Sequence, residues 1–327
     1  MPVQITIIGL GQIGASIGLA LSQHKNIVSV VGHDIEIRVE RAAQKKGAVE
    51  TTEHNLPKAV KDARIVLLAL PVHQIRETLE FIAPDLKEGT VVVDTAPIKS
   101  EVANWAKNIL PEGCYYVGLV PTIGPEYLND AGTGLDSAKT DLFSKSIFLV
   151  SAPSGTPGEA VQLVSDLVKL MDATAMLTDI TESDGLMTSA HLLPLLVSAA
   201  LLNATVDQPG WKDVRKLAGR SYSAATSGLT LHDDPESLQM LSLHNHENTV
   251  RSLDVMISAL RALRDDIENG KDDVLMDRLQ AAMTGRKNWM NERTLANWVE
   301  MQREPVDYPS MSDRLMGGFI GKRPKNK

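Results

Sequence analysis

The sequence predicts an α/β half built on a doubly wound parallel sheet, followed by an all-helical half. Three observations carry that expectation. Short β-branched runs alternate with helical patterns through residues 1–178. A spaced glycine cluster, Gly9-x-Gly11-x-x-Gly14, follows the first run and opens the first helix. Beyond "TAMLTDI" the strand signals stop and only helical periodicity remains.

Taken in order, "QITIIGL" reads as a buried strand and "QIGASIGLALSQ" as a helix with Ile13, Ile17 and Leu21 on one face. "IVSVVGHD" is a strand, "IRVERAAQKK" a helix and "RIVLLALP" a strand. "IRETLEFIAPDL" is a helix, "TVVVDT" a strand, "KSEVANWAKNIL" a helix, and "YYVGLV" and "SIFLVSA" are strands. Such alternation with short connections implies a parallel sheet covered by helices on both faces. Thr156-Pro157-Gly158-Glu159 reads as a helix start, with Thr156 as N-cap and Glu159 closing a capping box. From residue 179 to 300 the pattern is helical. "DGLMTSAHLLPLLVSAALLNATV" is apolar around nearly its whole circumference, as in a core or subunit interface. Pro235 to Asn269 reads as a long helical segment, with Asp233-Asp234 as its turn and start and Leu253, Met256, Ile257, Leu260, Leu263 and Ile267 at helical spacing. Residues 301–327 form a C-terminal tail whose basic end, "GKRPKNK", is expected to be disordered.

Composition bounds the function. The 327 residues are 43% hydrophobic and 23% charged, ordinary for a globular protein, and the net charge of −8 argues against a nucleic-acid partner. The single cysteine, Cys114, permits neither an intrachain disulfide nor a cysteine metal cluster. The N-terminus has no basic region ahead of its apolar run, so a signal peptide is not expected. The apolar stretch Leu192–Leu202 is about half of the roughly 20 residues that span a bilayer. A cytoplasmic protein without a membrane partner follows. His244, His246 and Glu247 are metal-like in type, but residues two apart on a helix face different ways, and no metal is expected there.

The glycine cluster points to a dinucleotide. Gly9 permits the tight turn, Gly11 lets the backbone approach a pyrophosphate, and Gly14 allows close helix–strand packing. Gln12 and Ile13 begin the helix whose N-terminal N–H groups face the phosphates. Asp34 closes the next strand, 20 residues after Gly14, where an acid binds the ribose 2′-hydroxyl. That acid repels a 2′-phosphate and favours NAD, while nearby Arg38 leaves NADP open. Leu70 and Pro71 end the third predicted strand, and Thr95 follows the fourth, at the edge that would face the cofactor. Pro71 reads equally well as a plain strand terminator.

With these parts in hand, the chain resembles the prephenate/arogenate dehydrogenase family over residues 3–270. The likeness runs through "GLGQIGASIGLAL", "GHD", "AAQKKGAVE", "ARIVLLALPVHQI", "LKEGTVVVDTAPIKSEV", "YYVGLVPTIGPE" and "DLFSKSIFLV". The resemblance implies a Rossmann-type domain followed by a helical dimerisation domain, hence a homodimer. It implies oxidation of a cyclohexadienol with NAD(P): hydride leaves C4 of the ring, CO2 is lost, and an aromatic ring forms. In that family a histidine takes the ring hydroxyl proton and a serine supports the histidine.

The resemblance fails where the chemistry sits. The family's Asp-x-Gly-Ser-x-Lys is "DTAPIK", which keeps Asp94 and Lys99 but has Pro97 for the serine. The family's Gly-x-His-Pro-Met-x-Gly-x-Glu is "GLVPTIGPE", which keeps Gly118, Pro121, Gly124 and Glu126 but has Val120 for the histidine. In the helical half three family histidines become Ser183, Leu192 and Leu195, and His191 stands where the family has a serine. A substrate-clamping arginine has no clean match, and Arg220 is only a neighbour. His191 is therefore the first candidate for a replacement acid or base, because imidazole titrates near neutrality. A satisfied core or interface histidine is the competing reading. Lys99 is the second candidate, and Thr122, Glu126 and Arg220 are candidates for holding substrate, with Asn203 behind them. Three functions remain open: the family reaction with a rearranged catalytic set, oxidation of a less anionic cyclic substrate, and dinucleotide binding without catalysis in a regulatory protein.

Overall fold

The computed structural model describes residues 2–231, 234–296 and 298. The basic tail, 301–327, and Asp233 lie outside the described residues. The chain divides into two compact units, the second starting at Asp184.

The first unit is a sheet of eight strands: β1 Val3–Ile8, β2 Val28–His33, β3 Thr51–Thr52, β4 Ile65–Leu68, β5 Val91–Asp94, β6 Tyr115–Pro121, β7 Ile147–Ser151 and β8 Thr174–Leu177. Their spatial order is β3-β2-β1-β4-β5-β6-β7-β8. The helices of this unit are α1 Gln12–Leu21, α2 Ile37–Lys46, α3 Leu56–Val60, α4 Val72–Ile82, α5 Ser100–Ile109 and α6 Gly158–Leu170. Every residue of β4 and β5 is buried, as their unbroken aliphatic runs require of central parallel strands. The chain builds outward from β1 to β3, then returns to the other side of β1 as β4. A crevice therefore opens beyond the carboxyl ends of β1 and β4, where such sheets bind ligands.

Four expectations change. The sheet is parallel except at one seam, where β7 runs antiparallel to β6. The connection from Thr122 to Ser146 contains only two short 3-10 turns and no α-helix to carry the chain across a face, so it re-enters from the same end. β3 and α3 were not foreseen, since two and five residues are too short for periodicity; Asn55 caps α3 by accepting from the Lys58 N–H at 3.1 Å. Pro157, not Thr156, occupies the N-cap of α6, and no side chain bonds there, so the capping box does not form. Finally, the predicted "RIVLLALP" strand stops at Leu68, and Pro71 instead precedes the first turn of α4.

The second unit is helical. It starts within α7 (Ile180–Met187), passes through a π-helical turn at Thr188–Leu192 and continues as α8 (Leu193–Thr205). Pro194 explains the wide turn: its ring lacks an N–H and crowds the carbonyl of the preceding turn. The run Ile180–Thr205 is thus 26 residues long, longer than its central apolar stretch alone, and its most apolar 18-residue window has a mean hydropathy of 1.7. Then follow α9 (Trp211–Leu217), α10 (Arg220–Thr226), α11 (Pro235–His244), α12 (His246–Glu268) and α13 (Asp272–Leu295). Asp234 caps α11 by accepting from the N–H groups of Glu236 and Ser237 at 3.0 and 3.2 Å. The helical segment expected over 235–269 consists of α11 and α12, divided at Asn245, whose amide donates to the Asp184 carbonyl at 3.1 Å and to Thr188 Oγ1 at 2.7 Å. Those bonds pin the start of α12 to the π-helical turn.

Candidate active site

The glycine turn between β1 and α1 has three positions with three physical demands. Gly9 sits at φ +91°, and a β-carbon there would lie 2.4 Å from the Ala69 carbonyl oxygen. Gly14 is as tight: its β-carbon would lie 2.0 Å from the Gly9 carbonyl oxygen. At Gly11 nothing stands within 4 Å, so the backbone there is bare and open to an approaching group. Closure at the outer two glycines and open space at the middle one suit a pyrophosphate laid across the turn. Gln12 and Ile13, both half-buried, supply the first N–H groups of the ten-residue α1, which have no partner within the helix. The Gln12 side chain donates to the Ser137 carbonyl at 3.4 Å and so ties this turn to the loop after β6.

Asp34 follows the end of β2. Its Oδ2 accepts from the Leu10 N–H at 2.9 Å and its Oδ1 from the Glu36 N–H at 3.0 Å. Its own N–H donates to Glu40 Oε1 at 3.1 Å. The carboxylate is thereby fixed against the glycine turn, with lone pairs left on each oxygen for a ribose hydroxyl. Arg38 is salt-bridged to Glu36, and that hydrogen bond raises the guanidinium pKa. A cation already paired is a poorer receptor for a 2′-phosphate than a free one.

Around the rest of the crevice, Leu70 is half-buried with its Cδ2 3.0 Å from where a Gly9 β-carbon would stand. Pro71 precedes α4 at φ −53°. Thr95 donates its N–H to the Leu68 carbonyl at 3.1 Å, which holds the β5 exit against the β4 exit.

Lys99 lies deeper than a surface cation. Its side chain has no solvent exposure, and Nζ donates to Asp94 Oδ1 at 2.7 Å and to the Asp94 carbonyl at 3.1 Å. Asp94 also accepts from Tyr116 Oη at 2.6 Å and from the Ala96 N–H at 2.8 Å. Gly118 completes the group, because a β-carbon there would lie 2.6 Å from Lys99 Cδ and 3.0 Å from Tyr116 Oη. Tyr116 is a site residue that the sequence reading missed; its alternation with Gly118 along one face of β6 was the available signal.

Val120 is part of the strand and not of the loop that follows it. It lies within β6, pairs with Leu149 of β7 and is 3% exposed. Tyr116, Gly118 and Val120 share one face, so Val120 sits on the side of Lys99 and Asp94. Thr122 closes the same seam: Oγ1 donates to the Ile147 carbonyl at 2.7 Å and accepts the Ile147 N–H at 3.2 Å. Glu126 is exposed in the 3-10 turn Pro125–Tyr127. In the second unit, half-buried His191 lies in the π-helical turn, Leu192 and Leu195 are each 4% exposed, and Arg220 opens α10 exposed, as is Asn203. His244 and His246 fall on two different helices, α11 and α12.

Residues 17–177 match the family model described as the prephenate dehydrogenase nucleotide-binding domain, and residues 180–281 match the prephenate dehydrogenase dimerization domain. Prephenate dehydrogenase of Bacillus subtilis is 26% identical over 266 residues, covering 81% of this chain and 70% of that one. Cyclohexadienyl dehydrogenase of Zymomonas mobilis is 24% identical over 284 residues, covering 86% and 94%. The crystal structure of prephenate dehydrogenase from A. aeolicus, in complex with hydroxyphenyl propionate and NAD+, superposes with a TM-score of 0.77 at 20% identity, covering 88% of this chain and 98% of that one.

Proposed function

Since the chain belongs to the prephenate dehydrogenase family and is an NAD(P)-dependent dehydrogenase, we propose that it oxidises a prephenate- or arogenate-like cyclohexadienol with a rearranged catalytic set. The observation that carries this reading is the glycine turn with Asp34 fixed against it, at the switch point of a sheet whose β5 and β6 exits keep the family frame. Asp34 and the salt-bridged Arg38 favour NAD over NADP. When bound, the nicotinamide supplies the hydride acceptor.

The protein's task is then to take the ring hydroxyl proton as hydride departs and CO2 is lost. Val120 and Pro97 offer neither a base nor a hydrogen-bond donor. We assign the proton to His191, whose imidazole type titrates near neutrality. Its place in a π-helical turn supports the assignment, because such turns recur at functional sites. Lys99 acts as a positioning residue that holds Asp94 and the β5–β6 edge, and not as the base, since its ammonium is buried on a carboxylate. Thr122, Glu126 and Arg220 stay as candidates for orienting or binding substrate.

The functional unit we propose is a homodimer joined through the helical domain. Only 22% of the most apolar window of Ile180–Thr205 is buried within one chain, and that run lies inside the matched dimerization domain. We therefore read the helix as an interface, not as a membrane span.

The test is direct: purified protein with prephenate or arogenate and NAD or NADP, followed at 340 nm. Turnover with either substrate supports the reading, and none with any combination overturns it. A second reading, a less anionic cyclic substrate, has its own motive in the buried apolar Val120, Leu192 and Leu195 where the family carries histidines. Turnover of neutral cyclic alcohols in place of prephenate selects it.

A further inference from the structure

One cluster of metal-ligating side chains stands apart from the proposed chemistry. His33 ends β2, Glu40 lies in the first turn of α2, and His54 follows β3. In sequence they are scattered, but the parallel pairing of β2 and β3 brings them together. His33 Nδ1 lies 3.5 Å and His54 Nδ1 3.1 Å from the same Glu40 Oε1, and one ligand atom from each of the three residues falls within 4.8 Å of the others. The ring centroids are 5.7 Å apart, with the planes tilted by 35°.

Two features point beyond a hydrogen-bond cluster. First, Glu40 is a carboxylate at 4% side-chain exposure, and taking such a charge out of water is costly without a compensating cation. Second, two imidazole nitrogens converge on one oxygen of that carboxylate, His54 Nδ1 at 3.1 Å and His33 Nδ1 at 3.5 Å, the latter beyond an ordinary hydrogen bond. A cation placed between the three ligand atoms satisfies the oxygen and both rings at once. The distances suit it: metal–ligand bonds of about 2.0–2.1 Å in a tetrahedron give edges of about 3.3 Å, between the two separations observed. His33 Nδ1 also lies 3.1 Å from the Glu53 carbonyl, which accepts that ring's proton in the metal-free protein. Metal binding would shift that proton to Nε2.

We propose that His33, Glu40 and His54 form a binding site for one divalent ion of the zinc class. Two imidazoles and one carboxylate match the borderline softness of zinc, and not magnesium or calcium, which take oxygen ligands. His54 is half exposed, so solvent has access to a fourth position. The ion would brace the β2–α2 connection, which carries Asp34, against the segment after β3.

The experiment uses the untagged full-length protein, stripped with a chelator, without substrate or nicotinamide, so that its outcome is independent of the proposed reaction. Cobalt(II) is titrated in, followed by competition with zinc(II). The expected result is a visible tetrahedral cobalt spectrum that saturates at one ion per chain and is displaced by zinc. His54→Ala, at a half-exposed position, folds normally by circular dichroism and weakens zinc binding about tenfold or more, at least the cost of losing a ligand's outer partner. His33→Ala does the same. His246→Ala, an exposed histidine on α12, leaves binding unchanged. Absence of a cobalt spectrum together with absence of zinc binding overturns the proposal. So does binding that is undiminished in both His33→Ala and His54→Ala.

Discussion

The Asp34 carboxylate accepts two hydrogen bonds, from the Leu10 N–H of the glycine turn and from the Glu36 N–H. Removing it takes away a charged hydrogen-bond acceptor, a contribution of about 1.5–3 kcal/mol. Asp34→Ala is expected to raise the KM for NAD about tenfold or more, with a smaller change for NADP, so the NAD/NADP preference narrows in steady-state kinetics. His191→Ala is expected to lower kcat about 100-fold or more, the lower range of a general base's contribution. KM for NAD stays unchanged. An unaltered kcat would remove His191 from the chemistry. Lys99 makes the opposite kind of prediction. Breaking a buried ion pair from one side costs about 3–5 kcal/mol, so Lys99→Met should lower unfolding stability by that order in urea titrations, since Asp94 keeps its charge in the sheet.

At the scale of elements, the loop after β6 is held by a strap of its own. Tyr127 Oη donates to Asp141 Oδ1 at 2.8 Å, and Lys139 Nζ stands 4.3 Å from the Tyr127 ring centre. The hydrogen bond to Asp141, followed by burial and that residue's charge, pushes the phenol up to about 12. An unfolded phenol titrates near about 10. The folded pKa is the higher one, so this stabilisation is fully present below about pH 10 and is lost as pH rises through about 12. Tyrosinate absorbance should show one late-titrating phenol that is absent in Tyr127→Phe. The same scale explains Val120. It lies inside a strand paired to Leu149, where a β-branched residue packs well. The π-helical turn at Thr188–Leu192 and the break at Asn245 belong together, because the Asn245 amide bonds the Thr188 hydroxyl and the Asp184 carbonyl.

On the scale of the molecule, the helical unit leaves apolar side chains uncovered within one chain. Val255, Leu260 and Ile267 of α12 and Met276 and Met283 of α13 are each more than half exposed. Apolar surface on this scale marks an association site, and the proposed dimer supplies the cover. Sedimentation should show a dimer, and Leu260→Asp should shift it toward monomer while NAD binding by the first unit persists. A monomeric wild-type protein would count against the proposed assembly.

Much of this was legible along the chain. Hydrophobic period revealed every strand of four residues or more up to β7, because β-branched runs bounded by turns have few other folded forms. Glycine spacing located the tight turn between β1 and α1, because close approach at Gly9 and Gly14 and the positive φ of Gly9 leave room for glycine alone. That the side chains of Val120 and Pro97 can hold no proton could also be read directly, since side-chain identity alone decides it. Only the tertiary structure decided the rest. It set the direction of β7, which depends on the path of the connection and not on the strand's composition. It buried Lys99 on Asp94 beside Tyr116, an arrangement that no spacing announces. It gathered His33, Glu40 and His54 around one oxygen, because residues far apart in sequence become neighbours only when strands pair.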